Sequence, residues 1–168
     1  MWVGSSCPTL LIFLSSNALV AAGPHRPTYS LDRIFLLWNI HLMVWEVEFT
    51  DEFEVWWHSL SEGEQAEIDA KVDLLQEHGP LLPRPHADVI ASSRHSNMKE
   101  LRGKVDTRHL RVLYAFDPRR TALLLIGGDK TGDPQWYEKF VPVADDLFDQ
   151  HLKQLAEKSR SRSRSHDR

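Results

Sequence analysis

The sequence predicts an α+β domain: an N-terminal strand and a two-helix hairpin packed on a small, mostly antiparallel sheet, with a C-terminal helix. Three observations favour this class. Apolar and polar residues alternate from Val44 to Thr50, apolar residues recur every three or four positions from Phe53 to Leu75, and alternation returns from Thr107 to Phe116. At 168 residues, 42% of them hydrophobic, the chain is long enough to bury one sizeable core.

The first strand and the first helix are predicted between Val44 and Leu60. Val44–Thr50 has the period of a half-buried strand. Thr50 or Asp51 is suited to cap the helix that follows, because either side chain can accept a hydrogen bond from a backbone N–H group of the first turn. The apolar stripe of this helix consists of Phe53, Trp56, Trp57 and Leu60.

A second helix is expected from Ser61 to His78. Ser61 followed by Glu64 is a capping-box pattern, and Gly79-Pro80 ends the helix because proline cannot continue it. The residues expected to point inward are Ile68, Val72 and Leu75. The two helices therefore form an antiparallel pair after a single strand.

The second half of the domain is predicted to be a sheet followed by a helix. Four strands are expected, at Asp88–Ala91, Met98–Arg102, Thr107–Phe116 and Thr121–Ile126. The apolar face of the longest strand comprises Leu110, Val112, Tyr114 and Phe116. A turn at residues 117–120 joins the last two strands. The final helix is expected from about Pro134 to Lys158, bent or restarted at Pro142.

Both ends of the chain are expected to lie outside this domain, which we place at residues 43–158. For the extension at residues 1–42 three interpretations stay open: an upstream extension, disordered or produced by a misassigned start; a secretion signal built on Leu10–Ala22; or a segment of unexplained role. A secretion signal needs a positive leading region, which residues 1–9 lack. Residues 159–168 alternate Ser and Arg without an apolar residue, so this tail is predicted to be disordered.

Charges of opposite sign are separated along the chain. Residues 94–120 contain eight Lys or Arg and three acids, a net charge of +5, whereas residues 51–78 contain one Lys and nine acids, a net charge of −8. The overall charge of −4 therefore hides a basic segment that would attract a polyanion. A merely solvated face is the plainer interpretation of such a run.

Several common kinds of site are absent from the sequence. It contains no Walker loop, no GxSxG motif, no complete dinucleotide fingerprint and no histidine pair at metal-binding spacing on one helix. Its single cysteine, Cys7, cannot form an internal disulfide or a thiolate cluster, which favours a reducing, intracellular protein. His95 and His109 lie in the basic segment, but ordinary surface or strand positions explain them more simply.

Three ordered motifs carry a resemblance that spacing alone would not give. They are Asn97–Arg102, Arg111–Phe116 and Gly128–Thr131, the last followed by Trp136-Tyr137. Over residues 43–155 the chain resembles the RelE/ParE superfamily of type II toxin–antitoxin systems, and within it the phage Gp49-like, HigB-type branch. The resemblance implies a RelE-like fold and a toxin that enters the ribosomal decoding site and cleaves translated mRNA.

The resemblance also implies a role for individual residues. Arg111 matches the phosphate-stabilising arginine, and Lys99 and Arg102 fall on the strand that supplies basic catalytic contacts. Lys130 follows the last strand, and Tyr137 matches the aromatic residue that stacks on a base or assists proton transfer. Because RNA supplies its own 2′-hydroxyl nucleophile, no metal or other cofactor is expected. The expected catalytic residues are Arg111, Lys99, Lys130 and Tyr137, and the expected RNA-binding residues are Arg102, Lys104 and Arg108.

The implied partners are mRNA, the ribosome and a cognate antitoxin with a helix-turn-helix domain, encoded by an adjacent gene. Operator DNA would be bound only through the antitoxin complex, and no membrane is expected. The implied location is the cytoplasm. Thr131 stands where the best-studied RelE proteins carry a further basic residue, and this chain is acidic overall where those toxins are strongly basic. The resemblance therefore does not identify the general acid.

Plainer interpretations of the site residues stay open. Arg111 could form an ion pair with Asp106 or Glu100, Tyr137 could belong to the core, and the lysines could be solvated strand or turn residues. Two alternative functions also remain. A ParE-like protein would inhibit DNA gyrase by binding, without nuclease chemistry, and an exported non-toxic module would depend on the apolar segment near the N-terminus.

Overall fold

The computed structural model describes residues 44–166, with side chains up to residue 162. This part of the chain forms five strands and three α-helices. The strands are β1 (Val47–Phe49), β2 (Ala87–Val89), β3 (Met98–Val105), β4 (Arg108–Phe116) and β5 (Ala122–Asp129). The helices are α1 (Asp51–His58), α2 (Glu62–His78) and α3 (Trp136–His166), and a short 3₁₀ turn, Gly79–Leu81, follows α2.

The five strands form one sheet in the order β1-β5-β4-β3-β2. β1 pairs with β5 in parallel, and the other three pairings are antiparallel. The predicted α+β class with a mostly antiparallel sheet is therefore confirmed. β4 lies at the centre of the sheet, and a β-bulge shifts its register against β5 between Leu113 and Tyr114.

The helix starts follow the predicted caps. The Thr50 hydroxyl accepts a hydrogen bond from the Phe53 N–H group at 3.2 Å, and it donates to the Leu125 carbonyl, which ties α1 to β5. Ser61 and Glu64 form the predicted capping box at the start of α2. α1 and α2 cover one face of the sheet. Phe53 of α1, Ile68 and Leu75 of α2, and Leu60 of the connection between them join one buried cluster with apolar side chains of β3, β4 and β5.

α3 covers the other face of the sheet. Its buried residues Trp136, Val141, Ala144 and Phe148 pack against a second cluster from the strands, which includes Met98, Leu113 and Leu125. The sheet therefore lies between two helical layers. Because side chains alternate between the faces of a strand, each residue of β3 and β4 is assigned to the α1/α2 side or to the α3 side.

The largest difference from the prediction is the length of α3. We expected a final helix to about Lys158, bent or restarted at Pro142, followed by disorder from residue 159; instead one helix runs through Pro142 without a restart and ends at His166. The correction has a physical reason: the Ser-Arg segment contains no Gly or Pro, Arg is a good helix former, and adding residues to an existing helix costs little.

The strands also differ in extent from their predictions. β3 and β5 each run three residues further than expected, to Val105 and Asp129, and β1 is limited to Val47–Phe49. The apolar run Leu10–Ala22 and the rest of the predicted N-terminal extension lie outside the described residues. Over residues 44–166, none of the helices has a stretch long and apolar enough to span a membrane.

Candidate active site

Glu100 is the centre of a polar cluster on the α3 side of the sheet. It lies on β3, two residues before Arg102, and both side chains therefore point to the same face. Arg102 is directly opposite Arg111 of β4, and Arg111 is in turn opposite Gly128 of β5. The strand register thus brings three motifs that are far apart in sequence to one place.

The Glu100 carboxylate contacts three side chains. The Tyr137 hydroxyl donates a hydrogen bond to Glu100 Oε2 at 2.7 Å, and Arg111 Nε lies 3.4 Å from the same oxygen. Arg102 Nε lies 3.5 Å from Glu100 Oε1. The side chain of Glu100 is 3% exposed and that of Arg111 is 8% exposed, whereas that of Arg102 is 32% exposed. The cluster therefore has a buried inner pair and a cation at its rim.

The start of α3 completes this cluster. Trp136 packs against Gly128, where an added Cβ would lie only 2.8 Å from the indole nitrogen, so a glycine is needed for this close approach. Lys130 follows β5 and its ammonium lies 4.8 Å from the centre of the Tyr137 ring, a cation–π contact. Tyr137 therefore lies between Glu100, which its hydroxyl contacts, and Lys130, whose ammonium lies over its ring.

Tyr137 is held in its protonated form. Burial raises the pKa of its hydroxyl, and the hydrogen bond to Glu100 raises the pKa further, while Arg111 opposes these effects. A phenol whose pKa lies above its ordinary value of about 10 is protonated at neutral pH. Tyr137 can therefore donate a proton or a hydrogen bond at this position.

Two buried N–H groups at this site lack a hydrogen-bond partner among the described residues: Arg111 Nε and Trp136 Nε1. Arg111 also donates from Nη1 to the carbonyl of Leu110 at 2.8 Å, so its guanidinium is anchored at one end. Unsatisfied buried donors are costly and are commonly completed by water or a ligand oxygen. Arg111 Nε and Trp136 Nε1 can thus each donate a hydrogen bond to an additional oxygen atom.

Two of the predicted site residues lie elsewhere. Lys99 shares the α1/α2 face with Leu101, and its ammonium donates to the carbonyl of Pro80, so our grouping of Lys99 with Arg111 requires correction. Burial lowers the pKa of Lys99. Arg108 also points to the α1/α2 side, where it binds Glu64 and Asp129.

Lys104 falls on the α3 side with Arg102, because the two positions differ by two along β3. Its side chain is exposed, and among the described residues it has no ion-pair partner. Lys104 therefore extends the basic edge of the cluster, whereas Lys99 and Arg108 do not. The predicted residues that the fold gathers are Arg102, Lys104, Arg111, Lys130 and Tyr137.

Glu100 is a member of the cluster that we did not predict as a site residue from the sequence. The sequence offered a signal, since Glu100 was one of two candidate ion-pair partners for Arg111. The structure selects Glu100; Asp106 instead lies in the tight β3–β4 turn with a φ of 50°. In the described part of the chain no three His, Cys, Asp or Glu side chains are arranged to hold a metal ion.

The sequence was compared with known proteins. The family model described as "Phage derived protein Gp49-like (DUF891)" matches residues 55–149, a range that includes the whole polar cluster. Two curated relatives are the candidate toxins HigB2 and HigB3 of Mycobacterium tuberculosis. HigB2 is 38% identical over 107 residues, which are 62% of this chain and 53% of HigB2. HigB3 is 42% identical over 95 residues, which are 56% of this chain and 82% of HigB3. The chain thus spans about half the length of HigB2.

Two solved RelE structures align with part of this chain. A double mutant of the Escherichia coli toxin RelE in the free state aligns with a TM-score of 0.43 and 11% identity, over 58% of this chain and 96% of that one. The RelE–RelB complex of Pyrococcus horikoshii aligns with a TM-score of 0.41 and 20% identity, over 54% of this chain and 99% of that one. The family match, together with the HigB relatives, confirms the resemblance carried by the three motifs: the chain belongs to the phage-derived Gp49-like family, of the HigB type.

Proposed function

We propose that this protein is the toxin of a type II toxin–antitoxin system and that it cleaves translated mRNA on the ribosome. One observation supports the chemistry above all. The side chains of Arg102, Arg111 and Tyr137 contact Glu100 on one face of the sheet, and the Lys130 ammonium lies over the Tyr137 ring. Family membership and the names of the two HigB relatives support the toxin role.

RNA cleavage of this kind needs little from the protein. The 2′-hydroxyl attacks the adjacent phosphorus, the bond to the 5′-oxygen breaks, and the products carry a 2′,3′-cyclic phosphate and a 5′-hydroxyl. The protein must align these atoms, accept one proton, donate another, and stabilise the extra negative charge of the phosphorane. The cluster contains one carboxylate, two guanidiniums, one ammonium and one phenol, which cover these tasks.

We assign the roles from the geometry. Glu100 accepts the proton of the 2′-hydroxyl, and Tyr137, whose raised pKa keeps it protonated, donates a proton to the leaving 5′-oxygen. Arg102 and Lys130 at the rim, together with Arg111 behind them, stabilise the phosphorane. The proton that Glu100 gains and the proton that Tyr137 loses balance the reaction.

In the free protein the positive charges of Arg102 and Arg111 are partly neutralised or buried. Glu100 neutralises part of the charge of Arg102 and Arg111, and Arg111 is almost buried. A phosphate oxygen that reaches the rim would compete with Glu100 for Arg102 and then for the unsatisfied Nε of Arg111. The exchange would leave Glu100 free to accept a proton beside the bound phosphate. Alignment of the mRNA by the ribosome explains why such a site would act on translated messages.

Growth arrest and transcript cleavage, measured together, test this proposal. We expect Arg111→Ala to reduce mRNA cleavage by about 10²–10³-fold, the usual loss for one charge-stabilising donor. Because Arg111 is buried, Arg102→Ala at the rim is the companion variant, and its side chain is exposed enough to be removed without a large effect on folding. Lys139→Ala is the matched control, since Lys139 is 56% exposed and its ion-pair partner is Asp133 rather than an acid of the cluster. Undiminished cleavage by both site variants would refute the proposal.

The antitoxin is part of the same proposal. A protein that cuts cellular messages must be held inactive, so we expect an antitoxin with a helix-turn-helix domain from an adjacent gene, and operator binding only by the complex. The cytoplasm, where messages are translated, is the expected location. Co-expression of the neighbouring gene should restore growth, and toxicity that persists despite that gene's product would refute the pairing.

A second candidate function is inhibition by binding alone, as in a ParE-like gyrase inhibitor. The observation in its favour is that Arg111 is nearly buried and already paired with Glu100. Primer extension after induction separates the two functions. Codon-linked cuts in translated mRNA support the nuclease, whereas intact mRNA with broken or relaxed chromosomal DNA supports the gyrase inhibitor.

A further inference from the structure

His109 carries an exposed imidazole on the same face of the sheet as the cluster around Glu100. It lies on β4 two residues before Arg111, so both side chains point to the α3 side. Two backbone hydrogen bonds fix its position. Its N–H group donates to the Thr131 hydroxyl at 2.8 Å, and its carbonyl accepts from the N–H group of Lys130 at 2.9 Å. The mechanism proposed above gives this imidazole no role.

The strand register places His109 in the middle of a row of three side chains. Lys104 of β3 is directly opposite His109. Lys130 takes the position on the other side of His109, because Leu110 pairs with Asp129 and the register continues by one residue. Neighbouring strands are about 4.8 Å apart, so the three side chains form a continuous strip across the sheet. We call Lys104, His109 and Lys130 the outer row.

The outer row lies beside the row that contains the proposed site. By the same register, Arg102, Arg111 and Gly128 form an inner row two residues away along each strand. Two residues of a strand span about 7 Å, which is close to the separation of successive phosphates in an extended RNA strand. Lys130 connects the two rows, since its ammonium lies 4.8 Å from the centre of the Tyr137 ring. A nucleotide on the outer row would therefore be next to one whose phosphate is bound at the inner row.

The imidazole of His109 is open to a ligand. It is exposed, and so is the side chain of Lys104. In the part of the chain whose side chains the structure describes, this imidazole has no hydrogen bond, ion pair or ring contact, and neither lysine of the outer row pairs with an acid. An aromatic ring with a cation on either side thus faces solvent beside the cluster.

We infer that His109 is a substrate-contacting residue and that its imidazole stacks on the base of the nucleotide next to the scissile phosphate. The choice of RNA as the ligand rests on the proposed function. Proteins that hold single-stranded RNA combine cations, which bind the phosphates, with aromatic side chains, histidine included, on which the bases stack. The outer row contains both elements. Because every base has a flat face, such a contact tolerates any base at this position.

Binding of a ten-nucleotide RNA by the full chain tests this inference. The RNA carries 2′-O-methyl groups, which remove the nucleophile, so cleavage does not disturb the titration. His109→Ala removes the ring, His109→Tyr retains a ring, and His109→Lys retains a positive charge without a ring. His58→Ala is the matched control, because His58 is 66% exposed and lies on α1, which covers the opposite face of the sheet. Urea denaturation checks that the variants unfold at the midpoint of the unmodified chain.

His109→Ala should weaken RNA binding by at least about fivefold, the lower limit for the loss of one stacked base. His109→Tyr and His58→Ala should bind within about twofold of the unmodified chain. Unchanged affinity of His109→Ala would overturn the inference, and so would a failure of the unmodified chain to bind the RNA. Affinity restored by His109→Lys but not by His109→Tyr would also overturn it, since the contact would then be with a phosphate.

A strand with the same backbone but without bases separates stacking from charge. His109→Ala should bind this abasic strand as well as the unmodified chain does. Lys104→Gln should instead lose affinity for both strands, and the slope of log K against log salt should become shallower by about 0.7, the value for one phosphate contact. An equal loss by His109→Ala on both strands would overturn the stacking contact. Tighter binding to single-stranded DNA of the same sequence would overturn the assignment to RNA.

The binding assay is independent of cleavage, so the two proposals can fail separately. If the unmodified chain leaves translated mRNA intact in cells but binds RNA through His109, the proposed function fails and the inference about His109 stands. If mRNA is cut but His109→Ala binds RNA as the unmodified chain does, the inference about His109 fails and the proposed function stands.

Discussion

Replacing Glu100 by Gln perturbs the cluster at its centre, since this change removes one negative charge and preserves the shape of the side chain. The carboxylate lies 3.4 Å from Arg111 Nε and 3.5 Å from Arg102 Nε. At an effective dielectric constant of 20, each contact has a gross Coulomb energy of about 5 kcal/mol. Solvent screens most of the contact with Arg102, which is a third exposed, but little of the contact with the nearly buried Arg111.

The loss of Glu100 therefore leaves a buried guanidinium without its counter-charge. Breaking a buried pair by removing one partner costs about 3–5 kcal/mol, and because Gln can still accept a hydrogen bond from Tyr137 we expect the lower end, about 3 kcal/mol. Urea denaturation measures this loss as a lower unfolding midpoint. The variant should also cleave mRNA about 10²–10⁴-fold more slowly, because it lacks the proton acceptor.

A double-mutant cycle isolates the pair. Arg111→Met alone leaves the buried Glu100 carboxylate without its counter-charge and should also lower the free energy of unfolding by about 3 kcal/mol or more. The double variant removes both charges from the interior. The double variant should therefore lose at least about 2 kcal/mol less than the sum of the single variants. Additivity within about 0.5 kcal/mol would show that Glu100 and Arg111 do not act as a pair, and would contradict the geometry on which the mechanism rests.

Three other outcomes are expected from the structure. Tyr137→Phe removes the donor to Glu100 and should slow cleavage by 10-fold or more, with a stability loss of about 1 kcal/mol in urea; a fully active variant would exclude Tyr137 as the acid. Lys99→Ala should leave cleavage unchanged, since Lys99 lies on the opposite face; a loss as large as that of Arg111→Ala would contradict this placement. Burial alone would raise the pKa of Asp117, but hydrogen bonds from His151 and Arg119 outweigh it and hold this pKa below its usual value. A carboxyl group with a depressed pKa stabilises the folded protein fully above its unfolded-state pKa of about 3.9. This stability is lost as the pH falls through the pKa of the folded state. Asp117→Asn should therefore flatten the decline of the urea midpoint between pH 6 and pH 3. An unchanged pH dependence of the urea midpoint would show that Asp117 does not cause the loss of stability at low pH.

Local sequence patterns predicted the starts of the helices well, because a single capping residue determines where each helix begins. Thr50 begins α1 and Ser61 with Glu64 begins α2, because a capping side chain meets its own backbone within one turn. The extent of α3 was harder to predict. Pro142 signals a break, but the helix around it packs on the sheet through Val141 and Ala144, and tertiary packing outweighs the local preference.

The site was only partly predictable, because the resemblance supplied residue types but not faces. Lys99 and Arg102 are separated by three positions in one strand, so they point to opposite faces, and the same holds for Arg108 and Arg111. Applying the two-residue period to the strand would have separated these pairs and drawn attention to Glu100. The contact between Tyr137 and Glu100 depends on how α3 crosses the sheet, which no local pattern specifies.

The most direct test of the proposed mechanism is cleavage of an mRNA with a single 2′-deoxynucleotide at the scissile position, on ribosomes programmed with that message. A matched message carries the deoxynucleotide two positions away. We expect the purified protein to cut the matched message and leave the first one intact, with a 2′,3′-cyclic phosphate on the upstream product. Equal cutting of both messages would show that the 2′-hydroxyl is not the nucleophile and would contradict the mechanism proposed for the Glu100 cluster.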